Sequence, residues 1–394
     1  MLTGNETLRE LVYRYPELIE EFGKYSLGHF FSPESLRATG DYTHLNSLLQ
    51  TANIDAALFI DALNEIELHR SIQGLPAQAS DFMAMLPCGL RNAFKIHLEK
   101  QLDAFPERYG EFHYKAEGNV NHELSFYPQI DHLQTIDELP DLVLSSDVNN
   151  FFHRPFRDKF IDHGLFGAYE PYPANPYLAD AGFCDPDHHY SMFTANMLVM
   201  AVDKTKLGDH PMPRYWADLL SKDFNKAIIM RGEADFFCNA ILLPFYKDHG
   251  MEAIRMLANN IRSGKHPAEM VKLANSTLRQ EGAAIYILPY FFATKIKNKN
   301  VEVVWPQDGA IASPVFLLVK QKALERHRAF LAFLFSEETA KMLVSHLFPS
   351  LYPKIAIPFP QPLKWLGWDF LKHEDIGQLK QAIQQTFQQH RAQD

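Results

Sequence analysis

Ala195-Asn196-Met197-Leu198-Val199-Met200-Ala201-Val202-Asp203 is a long apolar run near the middle of a chain of 394 residues. It is far shorter than the roughly 20 apolar residues that a membrane-crossing helix needs. Its near-continuous hydrophobicity reads as a strand buried on both faces. Shorter runs of the same kind lie on either side. Upstream, Phe82-Met83-Ala84-Met85-Leu86 ends at Pro87-Cys88-Gly89 and leads into a helical stretch over 90–102; Leu142-Val143-Leu144 ends at Ser145-Ser146-Asp147. Downstream, the runs at 227–230, 283–287, 301–306 and 314–319 follow, the first ending at Arg231-Gly232-Glu233 and the second at Leu288-Pro289-Tyr290, before a helix over 323–335. Strands alternating with helices predict an α/β fold with a mostly parallel sheet covered by helices.

A chain of this length divides into two or three domains, and 46% hydrophobic with 22% charged residues is a globular composition. The net charge of −10 argues against a general nucleic-acid or anionic-membrane binder, which carries a basic footprint. Three cysteines, Cys88, Cys184 and Cys238, without a CxxC pair, fit neither a disulfide framework nor a thiolate zinc site. Residues 1–6 show no basic stretch followed by an apolar one, so the expected location is the cytoplasm.

Residues 1–70 read as a small all-α domain. Leu8, Leu11, Val12 and Tyr15 recur at helical spacing, Pro16 opens a second helix, and Ser32-Pro33 is an N-cap followed by a first-turn proline. Residues 54–63 form a further helix, and 71–80, with Gly74 and Pro76, are a linker.

Several blocks, in order, resemble the substrate-binding proteins of ABC transporters, in the branch that holds iron(III), thiamine and polyamine binders. They are the run 195–203, Pro213-Arg214-Tyr215-Trp216-Ala217-Asp218-Leu219-Leu220, the strand at 227–230, Gly282-Ala283-Ala284-Ile285 leading to Tyr290, Val303-Val304-Trp305-Pro306-Gln307-Asp308-Gly309, and the closing helix with Ser336-Glu337-Glu338. The resemblance spans roughly residues 80–375. It implies a two-lobed, type II periplasmic-binding-protein fold over 81–394, with the lobes joined near 194–204 and 301–314, and an ABC permease as partner. Residues 8–64 resemble a small helical domain found beside redox and iron–sulfur proteins, which implies a redox protein as another partner. Relatives of that domain carry cysteines after the second helix; here Gly28-His29-Phe30-Phe31-Ser32 has none, so the departure falls on the residues a metal or redox role would need.

In open α/β sheets, ligands bind beyond the carboxyl ends of strands, where helix N-termini present free amides. The candidate binding residues are therefore Pro87, Cys88, Gly89 and Arg91 after the first run, Ser145, Ser146 and Asp147 after the second, Arg231, Glu233 and Asp235 after the fourth, and Tyr290 after the fifth. Ordinary turns and caps are the competing reading. Cys88 at a helix N-terminus would have a lowered thiol pKa, although a small buried cysteine explains it more simply. The resemblance makes Tyr290 the residue most suggestive of iron, because iron(III) binders of this branch often use two adjacent tyrosines; Phe291 occupies the second place. Cys184-Asp185-Pro186-Asp187-His188-His189 has metal-ligand chemistry at Asp187, His188 and His189, weighed against a solvated Asp-Pro turn. His153 and Arg154 would bring cations towards the cleft, and Arg suits a carboxylate or phosphate.

The expected function is reversible binding of a metal ion, an anion or a small polar organic molecule between two closing lobes. No cofactor is identifiable. The alternatives are an enzyme on the same fold, using Cys88 with a nearby histidine or Asp147 with Glu233, and a module that docks on a partner protein.

Overall fold

The computed structural model describes residues 2–25, 27–52, 54–71, 81–118, 126–232, 236–276 and 282–391. Five helices come first: α1 (Leu8–Arg14), α2 (Ile19–Lys24), α3 (Pro33–Thr39), α4 (Leu45–Thr51) and α5 (Ala56–Ser71). Thr7 and Glu10 close a capping box on α1, and the Ser32 hydroxyl caps α3 ahead of Pro33. Pro16 opens a single 3-10 turn, Pro16–Leu18, before α2 begins. Leu8, Leu11, Phe22, Leu45, Leu49 and Phe59 form the centre of a hydrophobic cluster drawn only from these helices and their connections. The linker expected at 71–80 lies outside the described residues apart from Ser71, the last residue of α5.

A ten-stranded sheet carries the rest. Its strands are β1 (Phe82–Leu86), β2 (Tyr114–Gly118), β3 (Leu142–Ser146), β4 (Ser191–Asp203), β5 (Ile228–Met230), β6 (Ile261–Gly264), β7 (Ile285–Pro289), β8 (Val301–Val304), β9 (Ala310–Val319) and β10 (Leu363–Lys364). The order is β2-β1-β3-β9-β4-β7-β5-β6, with β8 on β4 and β10 on β9. The expectation of a mostly parallel sheet is met only within each half. β1, β2 and β3 are parallel to one another, as are β5, β6 and β7, whereas the two long strands β4 and β9 pair antiparallel with each other and with both halves.

That arrangement positions the site. β4 enters at Ser191 beside the β1–β3 half and leaves at Asp203 beside the β5–β7 half. β3 and β4 both pair antiparallel with β9, so β3 runs in the direction of β4 and points its carboxyl end at the second half. β7 runs against β4 and points its carboxyl end back at the first half. Strand ends from both lobes therefore face one crevice, spanned by the middles of β4 and β9. This is the mixed α/β architecture of type II periplasmic-binding proteins, preceded by helices. No helix among the described residues is long and apolar enough to cross a membrane.

The helical region touches both lobes. α5 lies beside β2 and the helix α6 (Cys88–Ala104) of the first lobe, and beside the helix Pro267–Asn275 of the second. The Lys272 ammonium sits 4.6 Å from the centre of the Tyr25 ring.

Candidate functional site between the lobes

The crevice at the facing strand ends is lined by Pro87, Ser146, Asp147, Asn196, Leu198, Arg231, Cys238, Ala240, Ile241, Ile287, Pro289 and Ser313. Each lobe supplies one end of the wall. From the first, the Ser146 hydroxyl donates to the Met85 carbonyl (3.0 Å), tying the end of β3 to the end of β1. The next residue, Asp147, is buried in the left-handed region, at φ 70°. Its Oδ1 accepts from the Val148 amide (2.8 Å) and the Ser313 hydroxyl (3.3 Å), and its own amide donates to the Pro314 carbonyl (2.7 Å). A carboxylate is thus fixed against the middle of β9.

From the second lobe, Arg231 follows β5, and its carbonyl accepts from the Cys238 amide (3.1 Å), which closes the connection to the helix Asn239–Asn260. The first turn of that helix faces the crevice through Ala240 and Ile241, with the Ile241 and Leu242 amides donating to the Cys238 carbonyl at 3.0 and 3.2 Å. Burial pushes the Cys238 thiol up to about 12, with Asp147 adding to the rise and Arg231 opposing it. Among the described residues the site therefore holds one carboxylate and one guanidinium on opposite lobes, with serine and asparagine side chains between them. The space left is about 30 Å3. One water needs about 10–15 Å3 on the same measure, so an ion or a molecule of a few heavy atoms fits.

The lobes are closed on one another. A Cβ added at Gly89, in the first turn of α6, would stand 2.6 Å from the Phe291 ring of the opposite lobe. The neighbouring Cys88 Sγ lies 4.0 Å from His266 Nε2, also across the crevice. His266 Nδ1 accepts the Ala268 amide (3.2 Å) as an N-cap, so the ring proton sits on Nε2. Nε2 then faces sulfur as a donor and cannot take the thiol proton, so the pair lacks the geometry of a cysteine–histidine dyad.

Of the residues singled out from the sequence, Pro87, Ser146, Asp147 and Arg231 line the crevice. Cys88 and Gly89 form the contact between lobes just described. Ser145 does not face the crevice: side chains alternate along a strand, and its hydroxyl meets Tyr127 and the Asn149 amide in the core, each at 2.8 Å. Arg91 is buried within α6 and is not among the lining residues. Tyr290 packs edge-on against Trp305 (5.4 Å between ring centres) and Phe359 (6.2 Å) instead of entering the crevice. Glu233 and Asp235 lie outside the described residues. His153 pairs with Asp131 (3.0 Å) and Arg154 with Asp375 (3.7 Å), away from the lining set.

The run 184–189 does not converge as a metal site. The Asp185 carboxylate accepts the amides of Asp187, His189 and Tyr190 at 2.9–3.0 Å. Asp187 pairs with Lys372 (2.5 Å), which holds its carboxyl below the usual range. His188 Nδ1 meets Glu170 (2.6 Å). The metal-type cluster among the described residues is elsewhere, at Asp81, Asp141 and His327, at the amino ends of β1 and β3 and so away from the crevice. Arg326 bridges both aspartates at 3.1 Å and His327 meets Asp141 at 3.0 Å, which makes it an ion-pair network.

The residues missed from sequence are Asn196, Leu198, Cys238, Ala240, Ile241, Ile287, Pro289 and Ser313. Asn196 and Ser313 carried a usable signal, since each is a polar residue with apolar residues on both sides in its strand, Ala195 and Met197 for the one and Ala312 and Pro314 for the other.

Residues 137–374, more than half of the chain, match the model of the bacterial extracellular solute-binding proteins. Comparison with curated proteins finds no match. Among solved structures, the Trichodesmium IdiA/FutA protein, in complex with iron and citrate, is 13% identical with a TM-score of 0.55, covering 78% of this chain and 98% of its own. The ferric binding protein from Campylobacter jejuni is 15% identical with a TM-score of 0.53, over 78% of this chain and 98% of its own. At these identities the likeness speaks for the fold, and the family match for the rest: the chain belongs to the bacterial extracellular solute-binding proteins and binds a small solute in the cleft between its lobes.

Proposed function

We propose that the solute is a small oxyanion or carboxylate, held by Arg231 beside the N-terminus of the helix Asn239–Asn260, with Asp147 accepting a proton-bearing group at its other end. The observation that carries this reading is the pairing of one guanidinium and one carboxylate across a space of about 30 Å3. A guanidinium beside the positive end of a helix dipole favours an anion. The facing carboxylate selects against an anion without a donor, such as a fully deprotonated dianion. The two structural relatives named above are described with iron, but among the described residues the lining contains no phenol and one carboxylate, a poor set for a bare ferric ion.

In this reading the chain acts as a binding protein; the cysteine–histidine pair found at the cleft among the described residues places a proton where a base would need a lone pair. Its partner is an ABC permease that receives the solute from the closed form. The redox partner expected from the helical domain finds no support in the family. Isothermal titration with glycine, formate, hydrogen phosphate and ferric citrate tests the assignment. An oxyanion or carboxylate that binds wild type and loses at least tenfold in Arg231→Ala agrees with it; ferric citrate as the sole ligand, unaffected by Arg231→Ala, would refute it.

A further inference from the structure

The first lobe contains a second cavity, of about 400 Å3, lined by Tyr169, Glu170, Tyr172, Cys184, His188 and Phe335, with prolines 171, 173 and 186 in its walls and Ala174, Asp185, Met192 and Leu351 completing the lining. Its size falls within the range of about 300–1,000 Å3 typical of small-molecule sites. Most of it is built from the connection between β3 and β4, including the run 184–189 whose metal chemistry does not assemble, with Met192 of β4 and Phe335 and Leu351 beyond β9 closing it.

The walls are fixed in place. The Ala168 amide donates to the His188 carbonyl (2.7 Å) and the Tyr169 amide to the Ser191 hydroxyl (2.7 Å), joining the two sides. The Tyr172 hydroxyl donates to the Phe335 carbonyl (2.9 Å), and Asp185 holds its own loop through three amides. Three prolines restrict the backbone further, and His188 is held in the left-handed region at φ 56°. A cavity with such walls needs little ordering when it is filled.

Its charge has one sign. Among the described residues no lysine or arginine lines it, whereas Glu170 stands at the edge. Glu170 Oε2 lies 2.6 Å from His188 Nδ1, and a second carboxylate, Asp185, also lines the cavity. Burial first, and Glu170 second, raise the Cys184 thiol, so the field of that carboxylate reaches the other wall. The three aromatic rings, of Tyr169, Tyr172 and Phe335, supply apolar surface and attract cations.

We propose that this cavity binds a small organic cation, an amine with an aliphatic or aromatic body, its ammonium on Glu170 and its body among Tyr169, Tyr172 and Phe335. The site lies wholly within one lobe and is independent of the solute held in the cleft.

Cys184 provides a reporter at the site, because Cys88 and Cys238 are buried and Cys184 is half-buried. The full chain is treated with N-ethylmaleimide alone and with phenethylamine, phenylacetate or 2-phenylethanol, and labelling of Cys184 is followed by peptide mapping. Phenethylamine slows labelling at least fivefold, the acid and the alcohol do not, and Glu170→Gln raises the amine concentration required about tenfold while Glu170→Asp restores part of the effect. Thermal melting of both variants checks that they fold as wild type does. No protection by the amine, equal protection by all three compounds, or protection unchanged in Glu170→Gln would each overturn the proposal.

Discussion

The crevice between the lobes and the cavity inside the first lobe are made from opposite materials. The crevice is small, about 30 Å3, and its polar groups come in matched charges from two bodies. The cavity is an order of magnitude larger, about 400 Å3, aromatic, acidic at its edge and contributed by one body. The contrast teaches where affinity originates. A solute in the crevice gains contacts from both lobes only when they close, so its binding is coupled to the hinge strands β4 and β9. A ligand in the cavity meets walls that do not depend on closure.

The sharpest way to break that comparison is to hold the lobes apart. Gly89 approaches Phe291 so closely that any side chain there must displace the ring. In Gly89→Trp, cleft affinity for the solute found with wild type is expected to fall about a hundredfold, equivalent to about 2.7 kcal/mol. Protection of Cys184 by phenethylamine should stay unchanged in the same variant. Loss of both together would mean that the two sites are coupled; retention of both would mean that closure across Gly89 contributes nothing to the cleft.

A smaller effect concerns the wall itself. Asp147 holds a left-handed backbone, at φ 70°, and gives an acceptor to Val148 and Ser313. Asp147→Ala loses the acceptor and keeps a Cβ in a conformation that costs about 1–2 kcal/mol for such a residue. Asp147→Gly loses the same acceptor without that strain. Denaturant titration should find the alanine variant less stable than the glycine variant by about 1 kcal/mol, while both bind the cleft solute more weakly than wild type. Equal stabilities would show that the backbone at 147 relaxes once the carboxylate is gone.

Much of this architecture was legible because buried strands announce themselves through apolar runs. Phe82–Leu86, the run at 142–144 and the core of β4 were readable for that reason. β2, Tyr-Lys-Ala-Glu-Gly, and β6, Ile-Arg-Ser-Gly, were not, since each ends the sheet and carries polar residues that an apolar scan passes over. At the site, the rule that ligands meet strand ends found Pro87, Ser146, Asp147 and Arg231. It could not separate Ser145 from Ser146, because neighbouring residues on one strand face opposite ways and the facing is set by register with β9. Ser313 and Asn196 escaped because the crevice is also floored by strand middles. The cavity of the first lobe was invisible as a cavity: the run 184–189 was legible only as a metal-type cluster or a solvated turn, and only the folded connection brings 169–172 against 184–188.

The smallest expected effect separates the two sites by their cysteines. Cys238 faces the crevice from a fully desolvated position, and burial raises its thiol to about 12. Between the ordinary thiol range, about 8.5, and that value, the unfolded chain has released the proton and the folded chain has kept it. The folded state then binds more protons than the unfolded one, so stability falls as pH rises through this window. One proton can contribute at most about 1.4 kcal/mol per pH unit. The buried phenols of Tyr127 and Tyr190 are raised by burial as well and add to the fall with the same sign. Replacing Cys238 with alanine removes one contributor, so the loss of stability between about pH 9 and pH 11 should become shallower in Cys238→Ala, and by less in Cys184→Ala, whose half-buried thiol is raised in the same direction. Unfolding curves collected at each pH measure the slope directly. A slope that responds to Cys184 and ignores Cys238 would place the strongly desolvated thiol in the cavity instead of the crevice, and would reverse the assignment of which site is the drier one.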